Sequence, residues 1–189
     1  MSQLEIRLAA RSDLPALRDM QERSLRILGC HSYTATQIEA FIARIGTMDD
    51  YLVDDRTYLV AQRDDDILGC GGWTTRLPGY ARHARNETQP TDAGRATVRS
   101  IFVEPLAARQ GIGRQVMKAV EDAMRGEGFR IAELGATDCG LGFYRHIGFR
   151  PVTEFSVDLG DGIDMHFTRM QKTLAPANSD AAAPRSLTA

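Results

Sequence analysis

Residues 101–124 read IFVEPLAARQGIGRQVMKAVEDAM, a short apolar run, a proline, a glycine-bearing turn and then a long amphipathic segment. Ile101, Phe102 and Val103 suit a buried strand, and Pro105, with no N–H to give to a ladder, closes it. From Ile112 the period changes. Ile112, Val116, Ala119, Val120 and Ala123 fall on one stripe of a helix, with Arg114, Gln115, Lys118, Glu121, Asp122 and Arg125 opposite, and Gly126 and Gly128 mark its end. Between strand and helix stands Arg109-Gln110-Gly111-Ile112-Gly113. Two residues without Cβ let backbone N–H groups converge in front of the positive end of the helix, which makes a site for a phosphate or pyrophosphate.

Two common nucleotide sites fail on this stretch. A P-loop needs Gly-x4-Gly-Lys-Ser/Thr, and no Gly-Lys-Ser/Thr occurs in the chain. A dinucleotide fingerprint needs a third glycine three residues after the second, where Val116 stands. A further pattern fits. Val103-x-Pro105-x3-Arg109-Gln110-Gly111-Ile112-Gly113-Arg114, followed about thirty residues on by Phe143-Tyr144-Arg145-His146-Ile147-Gly148-Phe149, resembles the GNAT superfamily of acyl-CoA-dependent N-acyltransferases. The first run is similar to its pyrophosphate motif, Gln/Arg-x-x-Gly-x-Gly/Ala, and the second to its FYxxxGF segment. One position departs: Ala108 fills the leading Gln/Arg place, so any side-chain contact made there in relatives is missing while the backbone amides remain.

The rest of the chain is consistent with one globular domain. It has 189 residues, 43% of them apolar and 25% charged, enough to bury a sizeable core. A formal net charge of −2 argues against nucleic acid as a partner. The start, MSQLEIRLAARSD, lacks a signal h-region, and no run approaches the roughly 18 to 20 apolar residues of a membrane span, so no membrane is expected and the location is read as cytoplasmic. Cys30, Cys70 and Cys139 form neither a metal pattern nor a disulfide framework, and the consecutive acids Asp64-Asp65-Asp66 read as a hairpin turn, so no metal is expected.

Leu4, Ile6 and Leu8 alternate as a first strand, and Ser12 or Asp13 opens a helix through Leu14, Leu17, Met20, Leu25 and Leu28. Thr34 or Thr36 opens a second helix that Gly46 ends. Strands follow over Tyr58–Ala61 and Ile67–Trp73, then a long loop over 76–95, which is either a functional lid or a disordered excursion. Thr97–Val103 and Ile131–Leu134 flank the long helix. Thr137 or Asp138 opens the last helix, in which Gly140 and Gly142 signal close packing or room for a ligand. Phe149–Leu159 and Gly162–Lys172 close the domain as an antiparallel pair, and 175–189 has a disordered composition.

The resemblance implies an α/β, single-domain GNAT-like fold over residues 1–174, with a mixed, mostly antiparallel central sheet and splayed middle strands, in the order β-α-α-β-β-β-α-β-α-β-β. It implies acetyl-CoA as co-substrate, with pantetheine near Phe102 and Val103 and pyrophosphate on the amides of Arg109, Gln110, Gly111, Ile112, Gly113 and Arg114. Thr137 and Phe143 complete the cofactor-binding set, and Tyr144 faces the thioester sulfur as general acid. Glu104 at the strand end is the candidate base. Glu133 on the next strand and delivery of a neutral amine through water stay open beside it. The acceptor is a primary amine of a small molecule or peptide, attacking directly in a ternary complex, and a homodimer is allowed. The acceptor pocket is expected near Cys30, His31, Tyr33, Trp73 and the 76–95 loop. A non-catalytic acyl-CoA-binding module and a transferase of another acyl group are the alternatives.

Overall fold

The structure is a computed structural model that describes residues 3–76, 84–85 and 94–175, the side chains of 84 and 85 excepted. Its strands are β1 (Glu5–Leu8), β2 (Tyr58–Arg63), β3 (Asp66–Thr74), β4 (Ala84–Arg85), β5 (Arg95–Val103), β6 (Ile131–Thr137), β7 (Arg150–Asp158) and β8 (Asp164–Thr173). The helices are α1 (Leu14–Leu28), α2 (Ala35–Arg44), α3 (Tyr51–Asp54), α4 (Ile112–Gly126) and α5 (Leu141–His146). The strands form one open sheet in the order β1-β2-β3-β5-β6-β8-β7-β4. Every neighbouring pair is antiparallel except β5 and β6. That one parallel pair is joined by α4, as a crossover between parallel strands requires.

Alternation along β5 divides the two faces. Ile101 and Val103 pack into the cluster built on Ile112, Val116, Met117, Val120 and Met124 of α4. Phe102 between them faces the other way, against Leu17 and Met20 of α1 and the cluster of Ile38, Phe155 and Phe167. So α4 and α5 cover one face, and α1 and α2 the other. The buried stripe of α4 runs through Met117 and Met124, and Ala119 and Ala123 lie at its half-buried edge. Glu121, expected on the solvent side, is buried on this stripe; Lys172 at 2.6 Å and Arg125 at 3.0 Å compensate its charge.

The remaining elements follow from local signals. Thr34 caps α2, accepting from the Gln37 amide at 3.2 Å, and Gln37 Oε1 accepts from the Thr34 amide in return at 3.0 Å. Asp13 precedes α1, but its carboxylate serves the Ala10 amide and Arg7, as the acceptor of a short 3₁₀ turn. Two elements exceed the expected order: the four-residue α3, and β4 inside the 76–95 segment, paired to β7. The rest of that segment, 77–83 and 86–93, and the tail from 176 lie outside the described residues, so the lid and tail expectations do too. No helix among the described residues is long and apolar enough to cross a membrane.

Candidate active site

The parallel pair is where the sheet opens. Its register covers only Arg95↔Ile131, Ala96↔Ala132 and Thr97↔Glu133. Past these three positions β5 stays with β3 and β6 stays with β8, so the facing edges separate and their peptide groups lose ladder partners. A cavity of about 300 Å³ occupies this gap, walled by β5 from Val98 to Val103 and by Leu134, Gly135 and Thr137 of β6.

A bulge shapes the β5 wall. Gly72 pairs with Arg99 and Cys70 with Phe102, so Ser100 and Ile101 together oppose Gly71. Ser100 takes φ 51°, a left-handed conformation costly for a residue with a Cβ. Two part-buried hydrogen bonds hold it there: the Tyr58 hydroxyl donates to the Ser100 carbonyl at 2.7 Å, and Ser100 Oγ donates to the Thr47 carbonyl at 2.8 Å. Gln21, fully buried on α1, donates to the Tyr58 hydroxyl at 2.8 Å and accepts from Thr47 Oγ1 at 2.7 Å. A Cβ on Gly71 would run into Ile101 Cδ1, which explains the small residue opposite the bulge.

The glycine turn stands at one mouth of the gap. Gly111 has φ 82° and caps α4, while the first bond of the helix runs from the Gln115 amide to the Gly111 carbonyl at 3.1 Å. The amides of Ile112, Gly113 and Arg114 therefore have no helical carbonyl before them and point out of the positive end of α4. Arg109 also has positive φ, at 65°, and Arg109, Gln110 and Arg114 are exposed. A Cβ built on Gly113 would lie 3.4 Å from Val103 Cγ2 and 3.6 Å from Phe143 Cζ, ordinary contacts, so the protein's own packing does not require glycine there. This cradle of free amides and missing side chains fits a phosphate-bearing group. Ala108, at the departing motif position, is half-buried, and its amide donates to the Pro105 carbonyl at 3.2 Å.

Tyr144 reaches the cavity from α5, together with Phe143. Its ring packs edge-on to Phe143 at 5.2 Å and Phe149 at 5.8 Å between centroids. A Cβ on Gly140 would approach the ring to 3.1 Å, so the first glycine of the pair makes room for Tyr144, whereas a Cβ on Gly142 would meet nothing. Among the described residues no side chain or carbonyl accepts from the Tyr144 hydroxyl. Burial, with the nearby Cys139 adding to it, raises this phenol above its ordinary value and keeps it protonated.

The cavity thus brings together Phe102, Val103, Gly113, Thr137, Phe143 and Tyr144. Glu104 lies outside its lining and is paired with Arg23 at 2.8 Å. Glu133 lies outside it too, buried, held by Arg95 at 2.8 Å and by Gln171. The opposite mouth departs from expectation. None of Cys30, His31, Tyr33 and Trp73 lines the cavity: Trp73 stacks edge-on with Phe129 on the α4 face, and the Tyr33 hydroxyl bridges the His166 carbonyl and the Asp138 amide at 2.6 and 2.8 Å. That mouth is built from the end of α1, from Phe41 of α2 and Ile45 just after it, and from the turn 46–49. Asp49 in this turn and Arg99 on β5 had no sequence signal, since their 3.1 Å pairing spans fifty positions.

This architecture is shared with known proteins. The structure is similar to a GCN5-related N-acetyltransferase from Rhodopseudomonas palustris, at TM-score 0.69 and 18% identity over 92% of this chain and 98% of that one. It is similar to the PaiA N-acetyltransferase of Thermoplasma acidophilum, solved with coenzyme A, at TM-score 0.65 and 19% identity over 90% and 99% of the two chains. The YncA protein of Salmonella typhimurium, a putative acetyltransferase solved with acetyl-CoA, aligns at TM-score 0.58 and 18% identity over 98% and 100%. No curated protein sequence matches. The acetyltransferase (GNAT) domain family matches residues 54–151, which include β2, β3, β5, the glycine turn, α4, β6 and α5, and the chain belongs to that family.

Proposed function

We propose that the protein is an N-acetyltransferase that moves the acetyl group of acetyl-CoA to a primary amine of a small molecule or peptide, by direct attack in a ternary complex. One observation carries this reading: the gap between β5 and β6 has, at one mouth, amides at the head of α4 and, on its wall, the Tyr144 hydroxyl, both without partners among the described residues. Acetyl-CoA supplies the acyl group and a thiol leaving group.

The amides from Arg109 to Arg114 hold its pyrophosphate, and the unpaired edge of β5 at Phe102 and Val103 offers peptide groups to the pantetheine. An N–H on that edge stabilises charge developing on the carbonyl oxygen. Thr137 and Phe143 line the path from the turn to Tyr144. The Tyr144 hydroxyl, with no acceptor among the described residues, is available to donate its proton to sulfur. For Glu104 to serve as base, the amine proton must reach it through water, because its side chain is bound to Arg23 and stands off the cavity wall.

Thiol release from acetyl-CoA in the presence of amines tests the activity, and its absence across a broad amine set with acetyl-CoA still bound would leave a non-catalytic binding module. Titration calorimetry tests the site. Gly113→Val adds bulk where a ligand's phosphate must meet backbone, so acetyl-CoA affinity should fall at least about tenfold, ~1.4 kcal/mol. Unchanged affinity in a folded variant sinks the assignment.

A further inference from the structure

The acceptor mouth has a chemical character of its own. Phe41 of α2, Phe155 of β7 and Phe167 of β8 all line the cavity, and they touch: Phe155 and Phe167 stack at 5.5 Å with planes 19° apart, and Phe41 meets Phe167 at 5.9 Å. Leu25 and Ile45 extend this wall. Among the described residues that line the cavity only two carry charge, Asp49 and Arg99, and they are paired at 3.1 Å. The pairing is one-sided. Arg99 and the Tyr51 hydroxyl both donate to Asp49 Oδ2, at 3.1 and 3.2 Å, and Oδ1 accepts nothing among the described residues. Asp49 and the three phenylalanines thus line one cavity.

We infer that the acceptor is a primary amine with a single cationic centre carried on an aromatic or branched apolar body. The body packs on Phe41, Phe155 and Phe167, and the amine approaches Asp49 Oδ1. An aromatic or branched group gains from leaving water against such a wall. Asp49 then holds one ammonium at the mouth, and transfer of one of its N–H protons to solvent water leaves the nucleophilic lone pair next to the gap that leads to Tyr144. A polyamine or an amino sugar fits badly. Among the described lining residues its further cations or hydroxyls would meet apolar side chains without partners, where burial is costly. This inference rests on the acetyltransfer reading above and names the acceptor for the same site.

The test combines two measurements on the full chain. Thiol release with acetyl-CoA is followed for 2-phenylethylamine, isoamylamine, spermidine, glucosamine and a peptide with a free N-terminal alanine. Binding of 2-phenylethylamine to the protein saturated with CoA is measured by calorimetry. The expected result is a kcat/KM at least tenfold higher for the two apolar amines than for spermidine and glucosamine. Phe41→Ala, at a half-buried position, should raise KM for 2-phenylethylamine at least tenfold with acetyl-CoA affinity unchanged. Asp49→Asn should do the same, with Asp49→Glu restoring part of the loss. Preference for spermidine, glucosamine or the peptide, with acetyl-CoA bound normally, overturns the inference and leaves the transferase reading standing. Binding of 2-phenylethylamine without thiol release supports the pocket and sinks the transferase reading alone. Absence of both binding and release overturns the inference. Equal loss for every amine in Phe41→Ala overturns it as well.

Discussion

Tyr144 is a phenol whose ring packs against two aromatic neighbours and whose hydroxyl has no partner among the described residues. Phe143, Phe149 and the bare Cα of Gly140 fix the ring, and the hydroxyl has no acceptor among the described residues. Tyr144→Phe keeps every one of those contacts, so it reads the hydroxyl alone. A positioned general acid contributes about 10² to 10⁴ in rate, and with water as a partial substitute kcat should fall roughly 10- to 1,000-fold while acetyl-CoA affinity changes less than about threefold. Steady-state kinetics beside a melting curve decides; lower stability with kcat intact would make Tyr144 structural. Because burial raises this phenol above 10.0, it stays protonated through neutral and mildly alkaline pH, and its loss cannot bend the profile there. The kcat profile of the wild type should carry no alkaline limb below pH 10.0 that Tyr144→Phe removes. The residue was legible because its motif is local, seven consecutive positions ending at Phe149. Asp49 was not. In the chain it is one of two acids in a turn, and only the fold sets it beside Arg99 and against the cavity.

At the scale of elements, the β5 bulge shapes the wall on which Phe102 and Val103 lie, and a buried polar network holds the bulge. Tyr58→Phe removes the hydroxyl that donates to the Ser100 carbonyl and accepts from Gln21, leaving the carbonyl only Cys70 Sγ at 3.9 Å and Gln21 Nε2 only the sulfurs of Met48 and Cys70 at 3.5 Å. Each such group costs about 1 to 3 kcal/mol, so stability should fall by about 2 to 4 kcal/mol in chemical denaturation. Relaxation of Ser100 from its left-handed conformation should also weaken acetyl-CoA binding at least threefold. Val60→Ala, which hollows the same apolar cluster without touching the network, should lose stability with acetyl-CoA binding kept. If both variants bind acetyl-CoA as the wild type does, the network is structural only. Periodicity predicted the strand and α4 but not this device, since a bulge leaves no mark in an apolar run. The same limit hid Glu121: a carboxylate on a helix reads as a solvent face until Lys172, fifty-one positions away, folds over it. A single turn such as α3 is too short to carry a period at all.

On the whole molecule the sheet is two half-sheets hinged on three residue pairs, and the cavity exists because the hinge is so short. The family motifs made the β5-α4-β6-α5 core legible from sequence; the lining of the mouth opposite the glycine turn comes from α1, α2, β7 and β8, which the motifs do not cover. Beyond the hinge, the tail is rich in Ala, Pro and Ser, and deletion after Leu174, which is buried and tied to the Arg130 carbonyl at 2.8 Å, should leave melting temperature and activity unchanged. A loss of either would mean that the tail docks. The hinge itself is bolted by Glu133, which faces Thr97 across the parallel pair, accepts from Arg95 on β5 and from Gln171 on β8, and is nearly excluded from solvent. A carboxylate so engaged lacks access to an incoming amine. Glu133→Gln keeps the shape and removes the charge that compensates Arg95, so it should cost about 1 to 3 kcal/mol of stability. Turnover per folded molecule should stay within about threefold of the wild type, because a base that was truly lost would cost roughly 10² to 10⁴. Melting curves and kcat measured on the same preparation separate the two roles: an intact melting temperature with collapsed kcat would make Glu133 the base and would mean that the hinge opens during turnover to let the amine reach it.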